Sequence, residues 1–159
     1  MFHAVHHSDT FVDISTTVRE HPGENFIRTC FALLWVTLSG AVVWMFFFRQ
    51  LIQTATTIFA HTNCRLPDRI DKYVGLIFIT PNLHQVHHHY RQPYTDCNFG
   101  DVLSIWDRLF GTFSRLPQNE LVFGLDTFAD KKENNRYVSL IKIPFGKYRK
   151  KSAGDKFIE

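Results

Sequence analysis

The sequence predicts a mainly α-helical protein in which an integral membrane hairpin carries a histidine-rich helical cap on its cytosolic side. Three features lead to that expectation. The pattern His-x-x-His-His occurs twice, as His3, His6, His7 and as His84, His87, His88. Between the copies, Cys30 to Phe48 reads CFALLWVTLSGAVVWMFFF, nineteen residues without a charge, which is the usual length of a bilayer-crossing helix. The apolar character continues to Ala60, and the 35 residues from Phe26 to Ala60 would run roughly 52 Å as one straight helix. A hydrocarbon core is about 30 Å thick, so the segment turns back on itself, and Ser39-Gly40 is the natural break.

The first triplet comes before the hairpin. On a helix, residues three and four apart share a face, so each triplet is a preformed clamp. Its adjacent pair diverges by roughly 100°, which suits two neighbouring metal ions better than one. A lone triplet is as readily a solvated surface stretch; the repeated spacing singles out a metal site. An all-nitrogen donor set without a Cys-x-x-Cys partner argues against a structural zinc finger and is compatible with iron, zinc or copper. The first twenty residues are polar and histidine-rich, the wrong pattern for a cleavable signal peptide.

The hairpin, residues 26–60, offers two limbs of about seventeen residues, near the lower limit for crossing. The competing assignment is a buried helix of a soluble core, but three consecutive phenylalanines beside two tryptophans exceed what a chain of this size usually hides. The two triplets lie on opposite sides of the hairpin in sequence, so a shared site requires an even number of crossings or a re-entrant segment. Arg19 and Arg28 before it, and Arg65, Arg69 and Lys72 after it, place both flanks in the cytosol.

Beyond the hairpin, the apolar run Tyr73 to Ile79 ends at Thr80-Pro81, and Pro81 suits the first turn of the helix bearing the second triplet. Val102 to Phe110 has roughly helical spacing, fits an amphipathic packing or interfacial helix, and stops at Gly111. Residues 116–159 read as a polar connector and basic tail. Asp126 to Asn135 is solvated, Tyr137 to Phe145 is an apolar patch, and Lys147 to Lys151 concentrates positive charge that suits either anionic headgroups or a solvated terminus. Cys30, Cys64 and Cys97 are odd in number and lack disulfide or metal spacing, which fits a reducing cytosolic face. The chain of 159 residues is one domain's worth, with sixteen phenylalanines and a modest net charge of +3. No aromatic-interleaved basic stripe points to nucleic acid.

The blocks HAVHHSDT, VREHPGE, HTN, TPNLHQVHHH and NFGDVLSIWDRLFGTF, in that order, resemble the sterol desaturase branch of the fatty acid hydroxylase superfamily, particularly its bacterial members. The likeness runs from about Phe2 to Phe113, with a weaker echo in Val122 to Leu125 and Pro144-Phe145. It implies that residues 1–115 are the C-terminal part of such a domain, an integral membrane enzyme with a non-haem di-iron centre facing the cytosol. Such enzymes use O₂ and electrons from an external donor, a ferredoxin or a cytochrome b5-type protein, to hydroxylate or desaturate a sterol-like or fatty-acyl lipid. Zinc is a substitute metal.

By the same resemblance the ligands are His3, His6, His7, His61, His84, His87 and His88, with His21, Asn63, Asn98 and Asp107 behind them. His21 reads equally well as a hydrogen-bonded histidine at the membrane edge, and Asn98 and Asp107 serve packing or orientation of the ligands. Trp106 shares the motif of Asp107, and His89 stands where relatives usually have Ser. Relatives carry a further His-x-x-x-His box upstream of the first triplet, and this chain starts at Met1, just before Phe2-His3. Two metals would take roughly eight donors, one more than seven histidines supply. The enzyme reading therefore stands beside two others: an inactive truncated paralogue or fragment, and a membrane-associated zinc-binding protein. Hydroxylation or desaturation, and the lipid itself, stay open.

Overall fold

A computed structural model describes residues 2–125 and 136–146; the connector Asp126 to Asn135 and the basic cluster Lys147 to Lys151 lie outside them. The described residues fold into seven α-helices, α1 (Ala4–His7), α2 (Pro22–Ser39), α3 (Val43–Ala60), α4 (Asp68–Val74), α5 (Pro81–His87), α6 (Ile105–Phe110) and α7 (Tyr137–Lys142), with short 3-10 turns between them. Among these residues, extended pairing is limited to two isolated bridges, Phe78 with Leu103 and His89 with Phe123.

The hairpin forms where the sequence places its break. α2 is stopped by Gly40, which adopts the left-handed conformation at φ 64° that costs a side-chain-bearing residue free energy. At its other end Pro22 sits in the first turn and the His21 ring accepts the Gly23 N–H at 2.9 Å. No buried residue lies in α2, and Ala60 alone is buried in α3, so Phe31, Trp35, Trp44, Phe47 and Leu51 all project outward.

The membrane crossing expected from the sequence is not confirmed: among the described residues no helix is long and apolar enough to cross a membrane. The physical reason lies in the composition of the two limbs. Each limb has 18 residues, about 27 Å of helix, and the uncharged run is divided between them. α2 keeps Glu24 and Arg28 near its start, while α3 carries Arg49, Gln50 and Gln53 in its middle.

The second triplet sits on the most enclosed helix. On one flank of α5, Leu83 packs with Ala60 and Ile79 against Phe113; on the other, Val86 packs with Tyr94 and Cys97 against Leu116 and Leu121. Thr80 caps the helix by accepting the Leu83 N–H at 3.2 Å, the role its residue type favours. Its hydroxyl donates to Asp71, a carboxylate 2% exposed that also pairs with Arg115. Asn82 grips the main chain of Leu66 through both ends of its amide, at 3.1 and 3.0 Å.

Buried polar groups likewise shape the loop after α5. Asp107 accepts from Phe99 N at 2.7 Å, Gly100 N at 3.0 Å and the Thr112 hydroxyl at 2.7 Å. Gly100 is required there, because a Cβ would lie 2.3 Å from the Leu103 carbonyl oxygen. Asn98, at φ 48°, donates to the carbonyls of Leu83 and Ser114 and accepts from Ser114 N. Two pieces of the C-terminal segment return to this body: Tyr90 N donates to the Val122 carbonyl at 2.8 Å, and the turn Ile143–Phe145 packs on α1 with Ile143 and Pro144 buried.

Asp71→Ala removes the acceptor that holds both the cap of α5 and Arg115, and is expected to lower stability by about 2 kcal/mol. Unfolding midpoints would measure this, and an unchanged midpoint would contradict the role given to Asp71.

Candidate metal centre

Three elements bring the predicted ligands together. α1 supplies His3, at its N-cap, with His6 and His7; α3 ends at His61, which caps it; α5 supplies His84 and His87, with His88 directly after its last turn. His6, His7, His61, His87 and His88 are all buried. The seven rings form two sets, His6, His61, His84, His88 and His3, His7, His87, and within each set the candidate donor atoms lie within 4.8 Å of one another. Each triplet contributes to both sets, and the adjacent pairs His6-His7 and His87-His88 divide between them. The roughly 100° step between neighbouring helical residues has this result.

In the first set, His61 Nε2 lies 2.9 Å from His6 Nε2, 3.1 Å from His88 Nε2 and 3.0 Å from His84 Nε2. In the second, His87 Nε2 lies 3.2 Å from His3 Nε2 and 3.0 Å from His7 Nε2. The outward nitrogens decide what these approaches mean. His61 Nδ1 faces the Thr57 carbonyl at 2.7 Å, His87 Nδ1 the Cys97 carbonyl at 2.6 Å, and His3 Nδ1 the Glu24 carboxylate at 2.8 Å. Carbonyl and carboxylate oxygens only accept, so Nδ1 carries the proton and Nε2 turns a lone pair inward.

The single lone pair of His61 thus faces three other Nε2 atoms, and it can satisfy one hydrogen bond at most. A cation between the nitrogens removes the conflict. Neighbouring nitrogen ligands about 2.1 Å from one ion stand roughly 3.0–3.4 Å apart, close to the spacing found. The donor set therefore fits a metal.

Electrostatics keep the rings in ligand form. Burial, reinforced by neighbouring imidazoles, holds His6, His7, His84 and His88 well below the usual histidine range. Burial takes His87 down to about 3, and lowers His61 against the opposing hydrogen bond to Thr57. All six are neutral at pH 7, as metal binding requires.

The other residues singled out in the sequence lie elsewhere. His21 caps α2, stacks on Phe2 with ring centroids 4.6 Å apart and faces the Ile141 carbonyl at 3.3 Å. Asn63 is exposed. Asn98 and Asp107 fold the loop that presents the Cys97 carbonyl to His87, so their influence on the rings passes through the main chain. Trp106 is exposed, and His89 Nδ1 accepts the Val122 N–H at 3.3 Å, outside both sets. Sequence reasoning passed over Glu24, although it stands inside the VREHPGE block. It also missed the Thr57 and Cys97 carbonyls, main-chain groups that no residue type signals.

A family model of fatty acid hydroxylase matches residues 1–112, the stretch that holds every ring of both sets. The chain belongs to the fatty acid hydroxylase family. Among curated relatives, ornithine lipid hydroxylase OlsE of Rhizobium tropici is 31% identical over 120 residues, covering 74% of this chain and 34% of that protein. Alkylglycerol monooxygenase of Caenorhabditis elegans is 34% identical over 130 residues, covering 79% and 24%, and its Homo sapiens counterpart is 47% identical over 51 residues, covering 31% and 11%. This family member thus spans about a third or less of the length of these relatives. No solved structure matches it.

The depressed histidines set an acid limit on the metal-free fold. Below pH 6.5 the unfolded chain takes up protons that the folded rings refuse, so stability falls as pH falls, by about 1.4 kcal/mol per pH unit for each such ring. Melting temperatures of the metal-free chain should therefore drop steadily between pH 7 and pH 5; a flat profile would show that the rings titrate normally.

Proposed function

We propose that the chain is a metal-dependent lipid oxygenase whose two histidine sets each hold one iron ion and which hydroxylates a lipid bearing a long alkyl chain. The convergence of the seven rings, with His3, His61 and His87 oriented by outward hydrogen bonds, carries this reading. His6, His61, His84 and His88 would hold one ion, and His3, His7 and His87 the other. Bound iron supplies the redox chemistry that lets O₂ oxidise an unactivated C–H bond. The relatives, a lipid hydroxylase and monooxygenases by name, favour hydroxylation over desaturation.

The hairpin supports a lipid substrate. A cleft of about 530 Å³ between α2 and α3 is lined by Phe31, Trp35, Val36 and Met45 toward the turn and by Arg28, Gln53 and Asp101 toward the cap. A polar recess of about 340 Å³ continues past Thr29 and Thr54 to Thr57, the residue whose carbonyl holds His61. An alkyl chain lying between the limbs would have apolar walls near the turn and point its polar end toward the histidines. The outward aromatic side chains suit a hairpin seated in one leaflet, with the histidine cap on the cytosolic side. A separate ferredoxin or cytochrome b5-type protein would deliver the electrons.

Two measurements test the proposal. Detergent-solubilised chain reconstituted anaerobically with ferrous iron is expected to hold two irons, seen by elemental analysis and Mössbauer spectroscopy. His61→Ala should reduce this to one or none, and one iron or none in the wild type overturns the dinuclear reading. Ala32 lines both cleft and recess. Ala32→Trp should cut incorporation of ¹⁸O from ¹⁸O₂ into lipid by roughly tenfold or more with iron content unchanged. Undiminished incorporation would place the substrate elsewhere.

A further inference from the structure

We infer that Glu24 is a positioning residue for the three-histidine set, holding His3 where it can ligate while leaving the four-histidine set untouched. The inference rests on the proposal that the cluster binds metal. His3 differs from the other members of the cluster. Its side chain is 41% exposed and it stands at the N-cap of the four-residue α1, so packing does not fix its ring as it fixes His7 or His88. Its outward nitrogen donates to Glu24 Oε1 at 2.8 Å. That carboxylate is 13% exposed, and its second oxygen is buried without a hydrogen-bond partner among the described residues. The bond to His3 is thus made out of water, where a charge-assisted hydrogen bond is strong. His61 and His87 are held by main-chain carbonyls, so Glu24 is a support that substitution can remove.

Glu24 is itself anchored. Arg28, one turn along α2, lies 3.7 Å from the same oxygen. Its guanidinium also pairs with Glu20 at 3.1 Å and with Asp101 at 3.2 Å, and Asp101 accepts from Gln53 of α3 at 2.7 Å. One ionic chain therefore runs from a metal-facing imidazole through α2 to α3 and the loop after α5. A carboxylate behind a ligating histidine fixes the ring's tautomer and orientation and raises the basicity of its inward nitrogen, and loss of such a partner typically weakens metal binding 10- to 100-fold.

The test uses the full chain titrated with Co²⁺, followed by visible absorption and by equilibrium metal analysis, with melting of the metal-free form recorded alongside. The wild type is expected to take two equivalents. Glu24→Ala should weaken one equivalent by roughly 10- to 100-fold and leave the other at its wild-type affinity. Glu24→Gln, which keeps an acceptor oxygen without the charge, should fall between, and decides the matter if the alanine variant does not fold. Glu20→Gln touches Arg28 and no ring of the cluster, and should leave both equivalents unchanged. Equal weakening of both equivalents by Glu24→Ala, or the same loss in Glu20→Gln, would show that the network only supports the fold and overturns the inference. Fewer than two equivalents in the wild type would instead sink the two-metal reading and this inference with it.

Discussion

Inward lone pairs on buried, neutral imidazoles are the constraint on which the rest of this structure depends. A histidine in water shares its proton freely, but rings packed at 2.9–3.2 Å cannot all do so, because protonating one burdens every neighbour with charge. The surrounding body keeps them apart from water and fixes the direction of each ring. Two small apolar clusters flank α5, and the third side of that helix is given over to the rings. Much of what is buried is polar, and several of these groups serve as supports: Asp71 beneath the helix cap, Asn82 on the preceding loop, Asn98 and Asp107 around the following one.

Those supports form a hierarchy. His87 is aimed by the Cys97 carbonyl, that carbonyl by the turn through Asn98, and the turn by the hydrogen bond that the Asn98 amide donates back to the Leu83 carbonyl in the middle of α5. The ring and the group that aims it are thus tied to the same helix. His61 is simpler, because the Thr57 carbonyl one turn earlier in α3 accepts both the main-chain N–H of His61, at 3.1 Å, and its ring proton, one for each lone pair of the oxygen. On such a frame the rings need little rearrangement to meet a cation.

The sequence shows the parts governed by short periods. Helical spacing foretold that each triplet would share a face and that adjacent rings would part. Thr80-Pro81 marked the start of α5, and Gly40 marked the hairpin. Long-range partnerships had no such signature: Asp71 and Arg115 are 44 residues apart, and Glu24 reaches back 21 residues to His3. Two crossings were expected of the limbs on either side of Ser39-Gly40, but Glu24 and Arg28 in α2, and Arg49, Gln50 and Gln53 in α3, leave neither limb apolar enough. Motif likeness singled out Asn98 and Asp107, but not that both are buried and hold the loop after α5 through main-chain hydrogen bonds.

The two limbs of the hairpin end on different histidine sets. α2 reaches His3 through Glu24 in its first turn, and α3 runs directly into His61 at its last. The turn at Gly40 is the pivot of a pair of tongs whose jaws each grip one half of the cluster. A displacement of one limb relative to the other about that turn would therefore be felt at the rings as a change in the separation of the two sets. In mechanical terms, the hairpin is a lever.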